Sequence, residues 1–266
     1  MGLCLPIHGP LKFPRDQRKS RTAKTQGFLP GPAYQGVNPL KGRIRKEKIL
    51  EILSGSNVDP GLPSLIGDSP KRIVNALFPL LYSQDDLLKW RVVKFMGICV
   101  GELAQEDLES ARNVVRRLMW NLNDESGGIG WGSPEAMGEV LSRNEELAKE
   151  FAPILLSYAD KDGNYLELPM LQRGLLWGIA RFSAVRPKAL KGSKSHFFPY
   201  LESKDSAVRG HAASIVGWVG AAGDGFRLWP LLKDDAAYTT YADDRCEQRL
   251  VSKAAREALL RLETRK

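Results

Sequence analysis

The chain is short of the residues that make most active sites legible. Only three cysteines and three histidines occur in 266 residues. Cys4, Cys99 and Cys246 are odd in number and far apart, which argues against both a disulfide framework and a zinc cage. His8, His196 and His211 form no H-x-x-H or H-E-x-x-H pair, so no metal is expected. No Ser/His/Asp order or Cys–His pair stands in a recognisable local context, and the reading leans away from an enzyme. No apolar run approaches the roughly 18 residues of a membrane span. In the opening "MGLCLPIHGPLKF", Pro6 and His8 interrupt the apolar stretch a secretory signal needs. Pro6 also stands where a myristoylation signal carries Ser or Thr. The expectation is a cytoplasmic protein without a cofactor.

Basic charge is plentiful but unevenly placed. The net charge is +8. Residues 1–48 hold 11 Lys and Arg against 2 Asp and Glu, whereas residues 49–266 hold 28 against 29. The body is neutral and the basicity belongs to the leading segment, which speaks against a generally basic folded surface. Residues 1–42 also carry six prolines and the cluster "RDQRKSRTAK". With few apolar residues at any helical period, this segment reads as a disordered basic arm. It is either a solvated leader or a tether for nucleic acid, an acidic partner or an anionic surface.

From residue 43 the helical period dominates. In "GRIRKEKILEILSG", Ile44, Ile49, Ile52 and Leu53 fall on one face and Gly55 can end the helix. A repeat then emerges. "LFPLLYSQDDLLKWRVVKFMGICVGEL" (77–103) matches "FFPYLESKDSAVRGHAASIVGWVG" (197–220) in order: aromatic, proline, apolar residues, a polar turn with aspartate, then a second helix. Residues 151–182 and 227–262 follow the same order, with the repeated prolines at Pro79, Pro153, Pro199 and Pro230. The wide first gap holds one more pair, "DLESARNVVRRLMWNL" and "SPEAMGEVLSR". One amphipathic pair cannot cover its own apolar face, so pairs stack and share a continuous core. Gly97, Gly101, Gly178, Gly217 and Gly220 cost helix propensity, and close helix approach or helix termination can justify them. "EQRLVSKAAREALLRLETRK" reads as a terminal helix with Leu250, Val251, Ala254, Ala258, Leu259 and Leu262 inward. The expected fold is an all-α solenoid of about five helix pairs over 43–266, after the arm at 1–42.

The stretch D-x-x-V-R-x-x-A-A at Asp205 to Ala213 resembles the HEAT repeats of the phycobilisome-lyase type, and the wider similarity covers about 70–262. "WNLNDESGGIGWGSPEAMGEVL", with "MLQRGLLWGIARF" at 170–182, resembles a bacterial HEAT-repeat group without an established activity. The resemblance implies a HEAT-like solenoid whose second helices line a concave surface. Arg173, Trp177 and Arg181, spaced i, i+4, i+8, would then face a groove and could meet carboxylates, phosphates or a peptide. Their alternative is structural: Arg173 could pair with Glu167 or with an acid of the glycine-rich loop. Asp205 and Arg209 could likewise ladder between repeats.

That loop, Asn121 to Leu141, holds Gly127, Gly128, Gly130 and Gly132, with Ser133 placed to cap the next helix and Pro134 at its first position. Phosphate cradling lacks its preceding strand, its G-K-[ST] end and any lysine, and Asp124, Glu125 and Glu135 oppose an anion. A plain turn needs two to eight residues, which leaves the composition unexplained. A recognition role sets Trp131 as an aromatic platform beside Asn123, Asp124 and Glu125; otherwise Trp131 plugs an apolar gap. Glu135 and Glu139, four apart, could act as a carboxylate pair, and an exposed acidic helix face explains them more simply.

The leading expectation is a non-enzymatic scaffold binding a protein or peptide through its groove and loop. Its candidate contacts are Asn123, Asp124, Glu125, Trp131, Glu135, Arg173, Trp177 and Arg181. The alternative is an enzyme or DNA-binding protein of the HEAT-like DNA-alkylation-repair kind, whose residue types Trp131, Asp124 and Arg173 supply without a matching motif. A tetrapyrrole lyase, suggested by the repeat type alone, lacks a placed nucleophile.

Overall fold

The computed structural model describes residues 39–55, 69–123 and 130–264. The expected arm, residues 1–38 in particular, lies outside these, and the first described helix, α1, runs Pro39–Ser54. Ile49 and Leu53 of α1 are fully buried.

Five helix pairs follow, so the described chain is an α-helical repeat solenoid. Helix α2 (Pro70–Leu77) runs into a 3-10 turn at Phe78–Tyr82 and pairs with α3 (Asp86–Glu106). Helix α4 (Leu108–Asn123) pairs with α5 (Ser133–Arg143), and α6 (Glu145–Ser157) with α7 (Pro169–Val185). The fourth first element is broken into Pro187–Leu190, the single turn α8 (Lys194–Phe197) and Pro199–Glu202, before α9 (Ser206–Val219). The last first element is the 3-10 segment Ala222–Lys233. The repeated prolines explain the breaks: Pro79, Pro199 and Pro230 lie in 3-10 segments, because proline has no N–H for the i to i−4 ladder.

The polar-turn aspartates start the second helices. Asp85 accepts from the Leu88 N–H at 3.0 Å, and Asp205 accepts from Ala207 at 2.9 Å and Val208 at 3.2 Å. Each caps donors that a helix start leaves unpaired. Second helices then pack side by side, α3 on α5, α5 on α7, α7 on α9. Leu175, Ile179 and Phe182 on α7 are wholly buried, as their period suggests. The close approach of α5 and α7 has a plain cause. A Cβ on Gly138 would lie 2.4 Å from the Gly178 Cα, and one on Gly178 would lie 2.7 Å from the Pro134 carbonyl oxygen. Only paired glycines permit that crossing.

The last unit corrects the sequence reading. Residues expected to be turn and helix form an antiparallel hairpin, β1 (Ala237–Ala242) and β2 (Arg245–Leu250). Asp243 and Asp244 make its two-residue turn, with φ of 47° and 62°. Positive φ at both central residues matches the right-handed twist of a hairpin, and aspartate tolerates it better than most residues. The final helix, α10 (Val251–Thr264), therefore starts at Val251. Leu250, expected inward, closes β2 and is 41% exposed. Val251, Ala254, Ala258 and Leu262 are buried and pack α10 on α9.

Candidate functional site

The hairpin lies against the row of second helices and divides their face into two clefts. Tyr241 of β1 stacks on Trp90 of α3, with ring centres 5.6 Å apart and planes 5° apart. Trp90 meets Trp177 of α7 at 4.5 Å, and the Trp177 indole N–H donates to the Tyr241 carbonyl at 3.2 Å. At the turn, Asp244 lies 3.9 Å from Arg91 Nε and 3.6 Å from Lys94 Nζ. Tyr238 of β1 packs edge-on against His211 of α9 at 5.2 Å, over Gly210, where any Cβ would collide with the ring. Burial, reinforced by the positive charge of Arg249, pushes the His211 imidazole down to about 3, so it is neutral at pH 7.

One cleft, about 510 Å³, runs along the α3–α9 side of the hairpin past Trp90, Glu135, Arg173, Trp177, Asp205 and Tyr238. A recess of about 160 Å³ adjoins it, lined by Lys89, Trp131, Gly132, Glu135 and Met170. Four candidate residues thus converge: Trp131, Glu135, Arg173 and Trp177. The second cleft, about 370 Å³, lies at the turn of the hairpin and is lined by Lys94, Glu139, Arg143, Trp177, Arg181 and Asp244. Asn123 ends α4, whereas Asp124 and Glu125, like Gly127 and Gly128, lie outside the described residues.

Several placements depart from expectation. Trp177 is only 7% exposed, because the hairpin folds over it. Arg173 pairs with Asp205 of the next unit, not with Glu167, and remains mostly exposed. Arg209 donates to the Ser203 carbonyl of its own unit at 2.7 Å and to Asp234 of the last unit at 2.7 Å, so it ties the two units together. Gly132, with φ of 75°, takes the N-cap place expected for Ser133. A side chain there would be strained and would crowd the Leu81 carbonyl oxygen at 3.0 Å. Ser133 is instead the first helical residue, and its hydroxyl accepts from the Asn121 amide at 3.4 Å.

The larger correction concerns Glu135 and Glu139. They are not an exposed acidic face: both carboxylates are buried, at 6% and 3% residue exposure. Each lies on a glycine of a neighbouring helix. A Cβ at Gly174 would lie 2.4 Å from the Glu135 carboxyl carbon, and one at Gly97 would lie 2.5 Å from Glu139 Cγ. Glu139 is fully engaged, accepting from Arg143 Nε and Arg181 Nε at 2.7 Å each. Glu135 is not: its Oε2 is buried without a hydrogen-bond partner. Burial pushes the Glu135 carboxyl above its ordinary range, opposed by the charge of Lys89 and by its own backbone N–H. The Trp131 indole N–H is buried and unpartnered too. Among the described residues, no group of three His, Cys, Asp or Glu could hold a metal. Nor is any described helix long and apolar enough to cross a membrane.

No family model matches the chain. An uncharacterized protein of Archaeoglobus fulgidus is 33% identical over 84 residues, which is 32% of this chain and 43% of the relative. The match therefore spans less than half of that relative. Among solved structures, an engineered protein superposes with a TM-score of 0.52 at 16% identity, covering 87% of this chain and 93% of its own. A designed armadillo repeat protein gives 0.51 at 17% identity, covering 86% and 96%. A second designed armadillo repeat protein, in complex with the peptide (KR)4, gives 0.50 at 16%, covering 86% and 95%. At these identities the likeness is one of fold.

Proposed function

We propose that the protein is a non-enzymatic repeat scaffold that binds a protein or peptide segment on the face formed by its second helices, the concave groove of HEAT- and armadillo-type arrays. The observation that carries this reading is the convergence of Glu135, Arg173 and Trp177 on one cleft beside the hairpin, with Trp131 in the recess that adjoins it at Glu135. Tryptophan and arginine are the side chains that most often anchor interfaces. The hairpin gives internal support. It is extended chain lying on this face, and Trp177 already donates to one of its carbonyls. A second extended segment beside it meets the same chemistry. The designed neighbour with its bound peptide supports the reading at the level of fold.

A DNA cradle finds less support, since Asp86, Glu135 and Asp205 put three carboxylates along the cleft, the wrong sign for a phosphate backbone. A nucleic-acid role for the basic arm rests on its charge alone.

The test is a peptide array probed with the full-length protein, with R173A and with R112A. Arg112 pairs with Glu150 on the first helices, away from the clefts, and serves as the control. Sequence-selective binding that R173A weakens several-fold and R112A retains is the expected result. Selective binding equally strong in R173A would refute the proposed groove.

A further inference from the structure

We propose that the Glu135 cleft is a subsite for an alkylammonium or guanidinium group, as carried by a lysine or arginine side chain of an extended peptide. The peptide part of this statement rests on the groove reading above; the chemistry of the subsite comes from Glu135.

The charges facing Glu135 can be set out by element. Helix α3 contributes Asp86 and Lys89, α7 contributes Arg173, the N-cap of α9 contributes Asp205 and α9 itself the titratable His211; Gln248 of β2 adds no charge. Arg173 is engaged by Asp205. Lys89 lies 3.6 Å from Asp86, with its ammonium 5.0 Å from the centre of the Trp90 ring. His211 is neutral. Arg173 is thus balanced by Asp205, the charge of Lys89 acts on Glu135 as well as on Asp86, and Glu135 still has one buried oxygen without a hydrogen-bond partner. A buried carboxylate in that state is costly to the fold. Such a cost is expected where a ligand supplies the missing donor.

The missing group must carry positive charge and N–H donors, and it must reach into a narrow recess on an unbranched stem. Lysine and arginine side chains have that form. Lys89 shows that a cation is accommodated against Trp90 at the wall of this cleft. The orphaned indole N–H of Trp131, in the same recess, offers a donor to a main-chain carbonyl of the same residue. A carboxylate acceptor beside an indole donor complements a basic residue in extended conformation. It does not complement an acidic one. Gly174 is part of the device, because any side chain there would displace the Glu135 carboxyl from its seat.

The experiment uses full-length wild type and E135Q, followed by the indole N–H signals in nitrogen-edited NMR. The probes are n-butylammonium, n-butylguanidinium and neutral butanamide, then two short peptides that differ only by Lys or Gln at the central position. Wild type is expected to respond to both cations and not to butanamide, and E135Q to lose at least tenfold of the cation response while keeping its helical spectrum. The cation response should strengthen as pH rises and Glu135 ionises. Equal response to butanamide, or cation binding undiminished in E135Q, overturns the subsite. If the lysine and glutamine peptides bind equally well, the subsite falls and the groove reading stands. If small cations bind in an E135Q-sensitive way but neither peptide does, the subsite stands and the groove reading falls.

Discussion

Glu135 and Glu139 sit one turn apart on α5, both buried, each seated on a glycine of an adjacent helix, and they meet opposite fates. Glu139 receives two arginines from either side. Glu135 receives none, although Arg173 lines the same cleft and is committed to Asp205 instead. The engaged carboxylate stitches α5 to α7 and fills the wall of its cleft. The orphaned one leaves an unmet demand for a donor at the wall of the other. A helix that buries nearly every residue has little reason to keep an unpaired acid for stability. On the proposed reading, the contrast separates a structural site from a recognition site within a single helix.

The contrast can be broken at its middle. Gly138 lies between the two acids and its Cβ position is occupied by the Gly178 backbone. G138A must part α5 from α7, which disturbs both seats and is expected to cost about 3 kcal/mol or more, measured by urea denaturation. Removing the engaged acid alone comes next. E139A leaves Arg143 and Arg181 without their carboxylate, but both are partly exposed and can rehydrate. The expected loss is therefore about 2–3 kcal/mol, below that for a fully buried pair.

The seats give a finer contrast. G97A presses on Glu139 Cγ, which the two arginines hold, and should cost about 1–2 kcal/mol. G174A presses on the free end of Glu135, which can swing away, so its stability should change by less than about 0.5 kcal/mol while cation binding is lost. Thermal melting with the butylammonium titration separates the two.

E135Q acts with the opposite sign. The fold raises the Glu135 carboxyl above its unfolded value, so it holds that proton more tightly than the unfolded chain does. Wild-type stability then falls as pH climbs from the unfolded value, about 4.3, through the folded one, and the full penalty is present above it. E135Q should be more stable than wild type by about 1 kcal/mol at pH 7, with the gap closing below about pH 4.

The stacked pairs were legible because helical period, repeated prolines and capping aspartates are local signals. Asp85 and Asp205 cap as their position in the repeat suggests. The hairpin is masked in the sequence because its unit also fits the repeat pattern of aromatic, proline and polar turn. The signal was present in "AYTTYADDRC", where β-branched and aromatic residues precede two aspartates suited to a tight turn. The convergence of Trp131, Glu135, Arg173 and Trp177 on one cleft and its adjoining recess is long-range, and no spacing encodes it. Trp177 read as a groove residue and is covered, since nothing local announces that β1 will lie on it. The burial of Glu135 and Glu139 was hidden because it depends on Gly174 and Gly97, which lie on other helices.

The most direct measurement is the titration of the Glu135 side-chain carboxyl carbon by NMR in wild type, with and without n-butylammonium. An acid buried with one oxygen unpartnered should titrate above the ordinary glutamate midpoint of about 4.3 and move downward when the cation is present. A midpoint at the ordinary value, unmoved by the cation, would contradict the account.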